Sequence, residues 1–300
     1  MTREVIPYTD KDTWLKNRAM DITSTEVSAL FGISPYVTEY ELWHRKKTGD
    51  IVEIEDNERM AWGRRLQDAI AAGIADDRGV PYRRVDEYMR LPDLRIGSSF
   101  DFLLEESKIL EIKNVDWLQY KEKWTDGEAP LHIEIQIQHQ MLVMGVDVAI
   151  IGVLVGGNEK HEIERPANPK IHEGIKKKVA SFWKSIDENK PPAPNLKTDY
   201  SFINTLYGYA EPNKVVDAAG NEQLLRLAKT YKAAAALEKS AKEDKDVCKA
   251  QILQMIGDAE KVIGDGYKIS AGMVGEKPIS YVRKSYRDFR ISGKGLVDDA

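Results

Sequence analysis

The sequence IGSSFDFLLEESKILEIKN, residues 96–114, decides the fold of this chain. It contains two apolar-rich runs, Ile96–Leu104 and Ile109–Val115, separated by the polar residues EESK. Two such runs around a short polar break predict an antiparallel β-hairpin. The segments around this hairpin alternate between helical and strand patterns, so we expect an α/β fold.

Side chains alternate between the two faces of a strand, so Glu111 and Lys113 point the same way while Leu110 and Ile112 point into the core. Asp101 lies on the predicted partner strand, ten residues before Glu111. Two carboxylates can bind a hard cation such as Mg²⁺, and a backbone carbonyl at Ile112 can complete the ligand set. A neighbouring lysine can position water or offset charge in a transition state. The pattern predicts a metal site, and the alternative is an ordinary solvated sheet face.

The composition is that of a globular protein with a substantial core: 300 residues, 42% hydrophobic and 31% charged. A formal net charge of −5 does not indicate a nucleic-acid binder. It does not exclude one either, because phosphate contacts come from local patches. The single cysteine, Cys248, fits a reducing cytoplasm. Since no apolar run reaches the length of a membrane span and no signal-peptide core is present, we expect a cytoplasmic protein.

The segments around the hairpin have clear periodicities. Helical patterns cover Thr38–Thr48, Glu58–Asp77, about Leu131–Met144 and Asn168–Glu188, and Val146–Val155 has the pattern of a buried strand. In the second helix we expect the apolar stripe, which includes Met60 and Trp62, to lie in the core. The polar residues Arg64, Gln67 and Asp68 of the same helix are candidates for the border of a cleft.

A second candidate site precedes these helices. Thr23-Ser24-Thr25-Glu26 has the pattern of a capping box and predicts the start of a short helix. Arg18 lies just upstream. A helix N-terminus, the hydroxyl groups of Ser24 and Thr25 and an arginine together can bind a phosphate. The alternative is that Arg18 is simply a solvated surface arginine.

The composition changes after the breaker segment Lys190–Asn195. We expect three parts: a core at 1–195, a linker at 196–220 and a C-terminal appendage at 221–300. The long segment Asn221–Ile256 predicts a packed helical hairpin or coiled coil, and short strands follow it around Gly264-Asp265-Gly266. The basic, aromatic tail Ser280–Ile291 can contact DNA, and a protein-contact or oligomerisation role for the appendage is slightly favoured.

Asp101 followed by Glu111-Ile112-Lys113 resembles the motif of the PD-(D/E)XK nuclease superfamily. The surrounding blocks resemble the phage lambda exonuclease-like, or YqaJ-like, viral recombinase family and occur in that family's order. The blocks are Trp14 with Arg18 and Ile22–Val27, then Trp62–Gln67, then Ser99–Lys113, then Gln136–Met141. The resemblance covers about residues 14–155. It implies a restriction-endonuclease-like core with a mixed central β-sheet flanked by helices.

This resemblance also implies a function. It implies a Mg²⁺-dependent exonuclease, with Mn²⁺ as a possible substitute, that degrades linear double-stranded DNA from 5′ to 3′. The product would be a 3′ single-stranded overhang for a single-strand annealing protein in phage-type recombination. The resemblance further implies a ring-shaped homotrimer, located in the cytoplasm of the host cell if the chain is encoded by a phage.

Site roles follow from the same resemblance, residue by residue. Asp101, Glu111 and the carbonyl of Ile112 would hold Mg²⁺, Lys113 would assist the attacking water, and Gln136 would help place that water or the phosphate. Arg18, Thr25 and Ser99 would form a pocket for the 5′-phosphate.

The chain departs from the family at Gln67, where glutamate is usual. A neutral amide can bond a metal-bound water, but it binds metal more weakly and offers no base, so a second metal is less expected than the first. Two alternatives therefore stay open. One is another PD-(D/E)XK endonuclease, structure-specific or restriction-type. The other is a catalytically weak DNA-end-binding scaffold for an annealing protein.

Overall fold

The computed structural model describes residues 2–8, 10–51, 56–283, 285–293 and 296. The chain divides into two compact units, Met1–Phe202 and Ile203–Ala300. In the first unit, the buried carboxylate of Asp199 accepts hydrogen bonds from Thr38 Oγ1 and the backbone N–H of Asn195. The domain limits expected at residues 195 and 220 remain predictions.

The first unit contains two mixed β-sheets. The strands are β1 (Glu4–Pro7), β2 (Ile22–Thr23), β3 (Tyr82–Arg84), β4 (Glu87–Leu91), β5 (Ile96–Ser98), β6 (Phe102–Leu104), β7 (Lys108–Val115), β8 (Val148–Val155) and β9 (Glu159–Pro166). The larger sheet has the order β3-β6-β7-β8-β9, and the smaller one has the order β1-β4-β5-β2. Only β7–β8 and β2–β5 are parallel pairs among these described strands.

The helices of this part of the chain begin and end at recognisable residues. They are α1 (Lys11–Ala19), α2 (Glu39–Thr48), α3 (Glu58–Arg78), α4 (Trp117–Lys123), α5 (Leu131–Met144), α6 (Pro169–Asp187) and α7 (Tyr200–Leu206), which includes the boundary between the units. Short 3-10 helices occupy Val27–Phe31, Pro92–Leu94 and Thr125–Gly127. Thr38 and Asn57 cap the N-termini of α2 and α3, and left-handed glycines end both helices. The predicted positions of α2, α3, α5 and α6 are confirmed.

The predicted hairpin is confirmed for β6 and β7, which pair antiparallel with Phe102 opposite Leu110. The expectation of one continuous first strand is wrong, because residues 96–104 break into β5 and β6 in different sheets. Asp101 lies in the bend before β6 and not on the strand. Its backbone oxygen accepts from Val85 N–H, and the side chain of Phe100 is buried in the core. These two contacts hold the backbone at Phe100 and Asp101 in place.

The larger sheet is covered by helices on both faces. On one face, Leu110 and Ile112 of β7 pack in a buried cluster with Ile70 and Ile74 of α3, as predicted. On the other face, Ile109 of β7 belongs to a larger buried cluster that includes residues of α5 and α6. Glu111 lies two residues after Ile109 on β7, so its side chain is on this second face, toward α5.

The prediction that the whole apolar stripe of α3 is core is wrong at its N-terminal half. Met60 is 37% exposed and Trp62 is 51% exposed, whereas Ile70 and Ile74 are buried. The buried residues of α3 all lie between positions 70 and 75, where the helix packs on the sheet. Helical periodicity identified the correct face, but it does not show how far along that face a neighbour extends.

The second unit contains one long helix and one β-hairpin. α8 (Glu222–Ile256) is continuous over 35 residues, where a packed helical hairpin or a coiled coil was expected, so the hairpin prediction is wrong. The strands β10 (Lys261–Gly264) and β11 (Tyr267–Ser270) pair antiparallel around Asp265-Gly266, so the predicted turn is confirmed. Gly266 has a φ of 81°, a conformation that glycine adopts without strain. No helix in the described ranges has the length and apolar character needed to cross a membrane.

Candidate functional site

The structure brings the two predicted acids and the lysine together. The bend before β6 directs Asp101 toward β7, where its Oδ2 accepts a hydrogen bond from the backbone N–H of Ile112 across 2.9 Å. Lys113 Nζ donates to Glu111 Oε1 across 2.6 Å. Glu111 is only 5% exposed. A carboxylate buried this deeply requires charged or hydrogen-bonding partners, and the site supplies them.

The charges of the three side chains influence one another strongly. Burial, and then the nearby carboxylate of Glu111, raise the pKa of Asp101 to about 7, although Lys113 acts in the opposite direction. Burial acts to lower the pKa of Lys113, but Glu111 and Asp101 outweigh it and raise that pKa. Lys113 is therefore held as an ammonium ion, and one ammonium faces two acids. The local balance of charge therefore favours the binding of an additional cation.

Two glutamines of α5 hold the two oxygens of Glu111. Gln136 Nε2 donates to Oε1 across 2.6 Å, and Gln140 Nε2 donates to Oε2 across 2.8 Å. Lys113 Nζ also lies 3.4 Å from Gln136 Oε1. Residues four apart share one face of a helix, which explains why both glutamines reach the same carboxylate. Gln140 was not predicted as a site residue, and its four-residue spacing from Gln136 was the signal for it.

Gln67 reaches the site from α3. Its Nε2 donates to Asp101 Oδ1 across 3.1 Å. Because Ile112 N–H occupies Oδ2, each oxygen of Asp101 has one hydrogen-bond donor. The amide at position 67 therefore contacts the acid directly.

The predicted anion-binding residues form a second cluster. Arg18 Nη2 donates to Thr25 Oγ1 across 2.9 Å, and it lies 3.4 Å from Thr23 Oγ1. The Arg18 guanidinium stacks over the ring of Trp14 at 4.5 Å from its centroid. Trp14 Nε1 in turn donates to Ser99 Oγ across 2.8 Å. Trp14 thus connects Arg18 and Ser99, which are distant in sequence.

The predicted short helix is present only as a 3-10 helix, and it begins at Val27, after the predicted capping residue Thr23. Val27–Phe31 is a five-residue 3-10 helix without a side-chain cap. Glu26 Oε2 accepts bonds from the N–H and hydroxyl groups of Thr23, so this contact of the predicted capping box is present, although Thr23 belongs to β2. Since so short a helix aligns few peptide dipoles, Arg18 and the hydroxyl groups are the anion-binding groups that remain.

A buried lysine, Lys46, contacts the backbone and a side chain next to this cluster. Lys46 Nζ lies 3.0 Å from Glu26 Oε2 and donates to the backbone oxygens of Arg18 and Asp21 across 3.0 and 2.7 Å. Burial lowers the pKa of Lys46, and Glu26 partly offsets this effect. Lys46 holds the end of α1 and the turn after β2 in a fixed relation. No sequence pattern around Lys46 pointed to this role.

The donor set of the first cluster fits a hard divalent cation. In the parts of the chain that the structure describes, no group of three or more His, Cys, Asp and Glu side chains is arranged around a common point. The candidate ligands are two carboxylates and a backbone carbonyl. Mg²⁺ commonly uses one or two carboxylates and keeps several waters. The buried Glu111 and the partly buried Asp101, beside a single ammonium, fit such a cation.

Residues 13–147 match the family model described as the YqaJ-like viral recombinase domain. The matched segment makes up a little less than half of the chain. It contains every predicted site residue, from Arg18 to Gln136, and also Gln140. The chain is 29% identical over 261 residues to the uncharacterized protein YqaJ of Bacillus subtilis (strain 168), covering 83% of this chain and 79% of that protein.

Solved structures share the fold of this domain. The alkaline exonuclease LHK-Exo from Laribacter hongkongensis aligns with a TM-score of 0.51 and 18% identity, covering 64% of this chain and 100% of that one. Its complex with dAMP aligns with the same TM-score, identity and coverage. The predicted α/β nuclease-type fold, with a mixed sheet between helices, is confirmed by this similarity.

Proposed function

We propose that this chain is a metal-dependent exonuclease that acts on linear double-stranded DNA. It would degrade one strand from 5′ to 3′ and leave a 3′ overhang for phage-type recombination by strand annealing. The observation that carries this proposal is the pairing of two clusters in one domain. An acid–acid–lysine cluster suits phosphodiester hydrolysis, and the Arg18 cluster suits a terminal phosphate. The fold similarity to an alkaline exonuclease supports the proposal.

Asp101, Glu111 and the carbonyl of Ile112 would hold Mg²⁺, with Mn²⁺ as a substitute. When bound, the cation supplies Lewis-acid polarisation of the scissile phosphate. Gln136 and Gln140 keep the Glu111 carboxylate in one orientation through their hydrogen bonds to its two oxygens. Ile112 N–H does the same for Asp101. The chain thus presents its carboxylates in a preorganised arrangement.

Lys113 and Gln136 would act on the reacting groups. Because the two carboxylates raise the pKa of Lys113, its side chain stays protonated at neutral pH. An ammonium at this point can orient a water and stabilise the negative charge that develops on the phosphate. The carboxamide of Gln136 is within reach of Lys113 and would align the same water or the phosphate.

Arg18, Thr25 and Ser99 would bind the 5′-phosphate. A guanidinium has five N–H donors, and the contacts to Thr25 and Thr23 use only one of its nitrogen atoms. Stacking on Trp14 fixes the plane of the guanidinium. The remaining donors can then form the bidentate contacts that arginine makes to phosphate.

The assembly and the partner belong to the same proposal. We propose a ring-shaped homotrimer around DNA and a single-strand annealing protein as the recipient of the product strand. A trimer would have three times the chain mass of 34.0 kDa, which light scattering during gel filtration measures directly. Co-purification with a candidate annealing protein, with and without residues 203–300, would locate its binding surface.

A digestion assay tests the activity. The substrate is a linear duplex with a 5′-phosphate on both strands and a different fluorophore near each 3′ end, incubated with Mg²⁺ or EDTA. We expect Mg²⁺-dependent loss of nucleotides from each 5′ end, with both 3′ ends retained in the early products. Cleavage of supercoiled circles at the same rate would favour an endonuclease. Tight end binding without any cleavage would favour the scaffold alternative.

A further inference from the structure

Gln140 is one of the most deeply buried polar residues of the domain, with 1% of its surface exposed. Its Nε2 donates to Glu111 Oε2 across 2.8 Å and to the backbone oxygen of Ser99 across 3.3 Å. One amide group therefore contacts both a proposed metal ligand and a residue of the proposed phosphate pocket. Glu111 and Ser99 lie in different segments, and Gln140 joins them.

The contact to Glu111 controls the orientation of a buried carboxylate. Gln136 holds Oε1, and without Gln140 the other oxygen would lose its donor in a site from which water is largely excluded. A buried acceptor without a donor is costly, so the side chain would rotate toward another donor. Such a rotation alters the orientation of the carboxylate toward the metal.

The contact to Ser99 extends to the Arg18 cluster. Ser99 Oγ accepts from Trp14 Nε1, and the Arg18 guanidinium stacks on Trp14. A continuous series of contacts thus runs from Glu111 through Gln140, Ser99 and Trp14 to Arg18. The bond to the Ser99 oxygen is the longer of the two that Gln140 makes, so we expect the weaker effect at the phosphate pocket.

We propose that Gln140 is a positioning residue that orients Glu111 for metal binding and fixes the spacing between the metal site and the 5′-phosphate pocket. This inference rests on the proposed function. Gln140 would contact neither the metal nor the 5′-phosphate, and its effect would pass through Glu111 and Ser99.

Gln138 provides a matched control on the same helix. It is buried to a similar degree, with 4% exposed, but it faces away from the site. Its Nε2 donates to Pro166 O across 2.9 Å, and its Oε1 accepts from Asn168 N–H across 2.8 Å. A substitution here removes equivalent hydrogen bonds without touching Glu111 or Ser99.

The test compares Gln140→Met with Gln138→Met in two measurements that need no catalysis. Calorimetric titration of the DNA-free full-length protein with Mn²⁺ measures metal affinity. Fluorescence anisotropy in EDTA measures the binding preference for a duplex with a 5′-phosphate over one with a 5′-hydroxyl. For Gln140→Met we expect a loss in Mn²⁺ affinity of roughly 10- to 100-fold and a reduction of about 2- to 10-fold in the phosphate preference. We expect Gln138→Met to match the wild type in both.

Equal effects of the two substitutions, or no effect of Gln140→Met, would overturn the proposal, as would the absence of Mn²⁺ binding by the wild type. Circular dichroism checks that both variants fold. If Gln140→Met does not fold, Gln140→Asn takes its place, because it keeps the amide but shortens its reach, and the same losses are expected. The digestion assay reports separately on the proposed exonuclease activity, so its failure is distinguishable from failure here.

Discussion

The side-chain amide of Gln67 donates a hydrogen bond to Oδ1 of Asp101 across 3.1 Å. The lambda exonuclease-like family that this chain resembles usually has glutamate at this position. Burial and Glu111 already raise the pKa of Asp101 to about 7. A third carboxylate would add to this repulsion, whereas the amide of Gln67 relieves it. Gln67 thus stabilises the metal-free protein, but its neutral amide binds a metal more weakly than the carboxylate of a glutamate would.

Gln67→Glu should therefore destabilise the metal-free protein and strengthen its binding of Mg²⁺. Loss of a hydrogen bond to a charged group and the added repulsion should lower the free energy of unfolding of the metal-free protein by about 1–3 kcal/mol. Mg²⁺ should then raise the melting temperature of the variant more than that of the wild type, because it binds the folded state with an extra ligand. Differential scanning calorimetry with EDTA or Mg²⁺ measures both effects, and exonuclease activity should be retained or increased.

Gln67→Leu is the control for this substitution. It removes the same hydrogen bond without adding charge, so Mg²⁺ should stabilise it no more than the wild type. If Gln67→Glu lost activity while its Mg²⁺ affinity rose, the amide of Gln67 would have a role of its own in the reaction.

Lys113→Met should abolish most of the activity. The substitution removes the ammonium that the two carboxylates hold in place and leaves Glu111 and Asp101 without their cation. Loss of a preorganised group that stabilises transition-state charge typically costs 10²- to 10³-fold in kcat. We therefore expect a reduction of at least about 100-fold in the rate of digestion of a 5′-phosphorylated duplex.

Lys108→Met is the matched control on the same strand. Lys108 pairs with Glu105 at 2.8 Å in the turn region, and it is partly exposed. Breaking such a surface pair changes stability by about 1 kcal/mol or less, so activity should stay within twofold of the wild type. Equal loss of activity in the two variants would contradict the role assigned to Lys113.

The sequence predicted the parts of the site that follow from local periodicity. The alternation in β7 placed Glu111 and Lys113 on one face, and the family resemblance assigned Gln136, on the predicted helix α5, to the same site. The four-residue spacing places Gln140 on the same face of α5 as Gln136, but its contact to Glu111 depends on α5 crossing β7 at that point. That contact joins residues 29 positions apart in the chain, and no local pattern encodes it.

The wrong predictions and the contacts that were not predicted have a similar cause. The run 96–104 has the composition of one strand, but it breaks because β5 and β6 find partners in different sheets. Met60 has the periodicity of a core residue, but α3 packs on the sheet only further along. Lys46 pairs with a glutamate 20 positions earlier in the sequence. Tertiary partners decide each of these cases, and a single sequence does not show them.

Arg18→Met should reduce the preference for a 5′-phosphate without a large effect on the metal site. The substitution removes the guanidinium but keeps an apolar side chain against Trp14. We expect the ratio of kcat/KM for 5′-phosphorylated over 5′-hydroxyl duplex to fall by about 10-fold or more, since hydrogen bonds to charged groups contribute about 1.5–3 kcal/mol.

Arg95→Met is the control for Arg18. Arg95 also stacks on a tryptophan, Trp183, at 3.4 Å from the ring centroid, but it has no contact with Thr25 or Ser99 among the described residues. The same loss of a stacked guanidinium at this position should leave the phosphate preference unchanged. A fall of equal size in both variants would show that the effect of Arg18 is structural.

The stability of the fold should depend on pH through His139. This imidazole is fully buried, and Nε2 lies 3.1 Å from the backbone oxygen of Ile22. Burial lowers the pKa of His139 to about 4, while the carbonyl of Ile22 and Glu26 act to raise it and His172 acts to lower it. In the unfolded chain an ordinary histidine has a pKa of about 6.5.

Between these two pKa values the unfolded chain binds a proton that the folded protein does not bind. The contribution of His139 to stability is therefore fully present above about pH 6.5 and is lost as the pH falls toward 4, by about 3 kcal/mol in total. His139→Gln keeps a donor for Ile22 and has no titrating group, so the stability difference between wild type and variant should shrink by that amount from pH 7 to pH 4. Urea unfolding at a series of pH values measures this difference, and a constant difference would contradict the assignment.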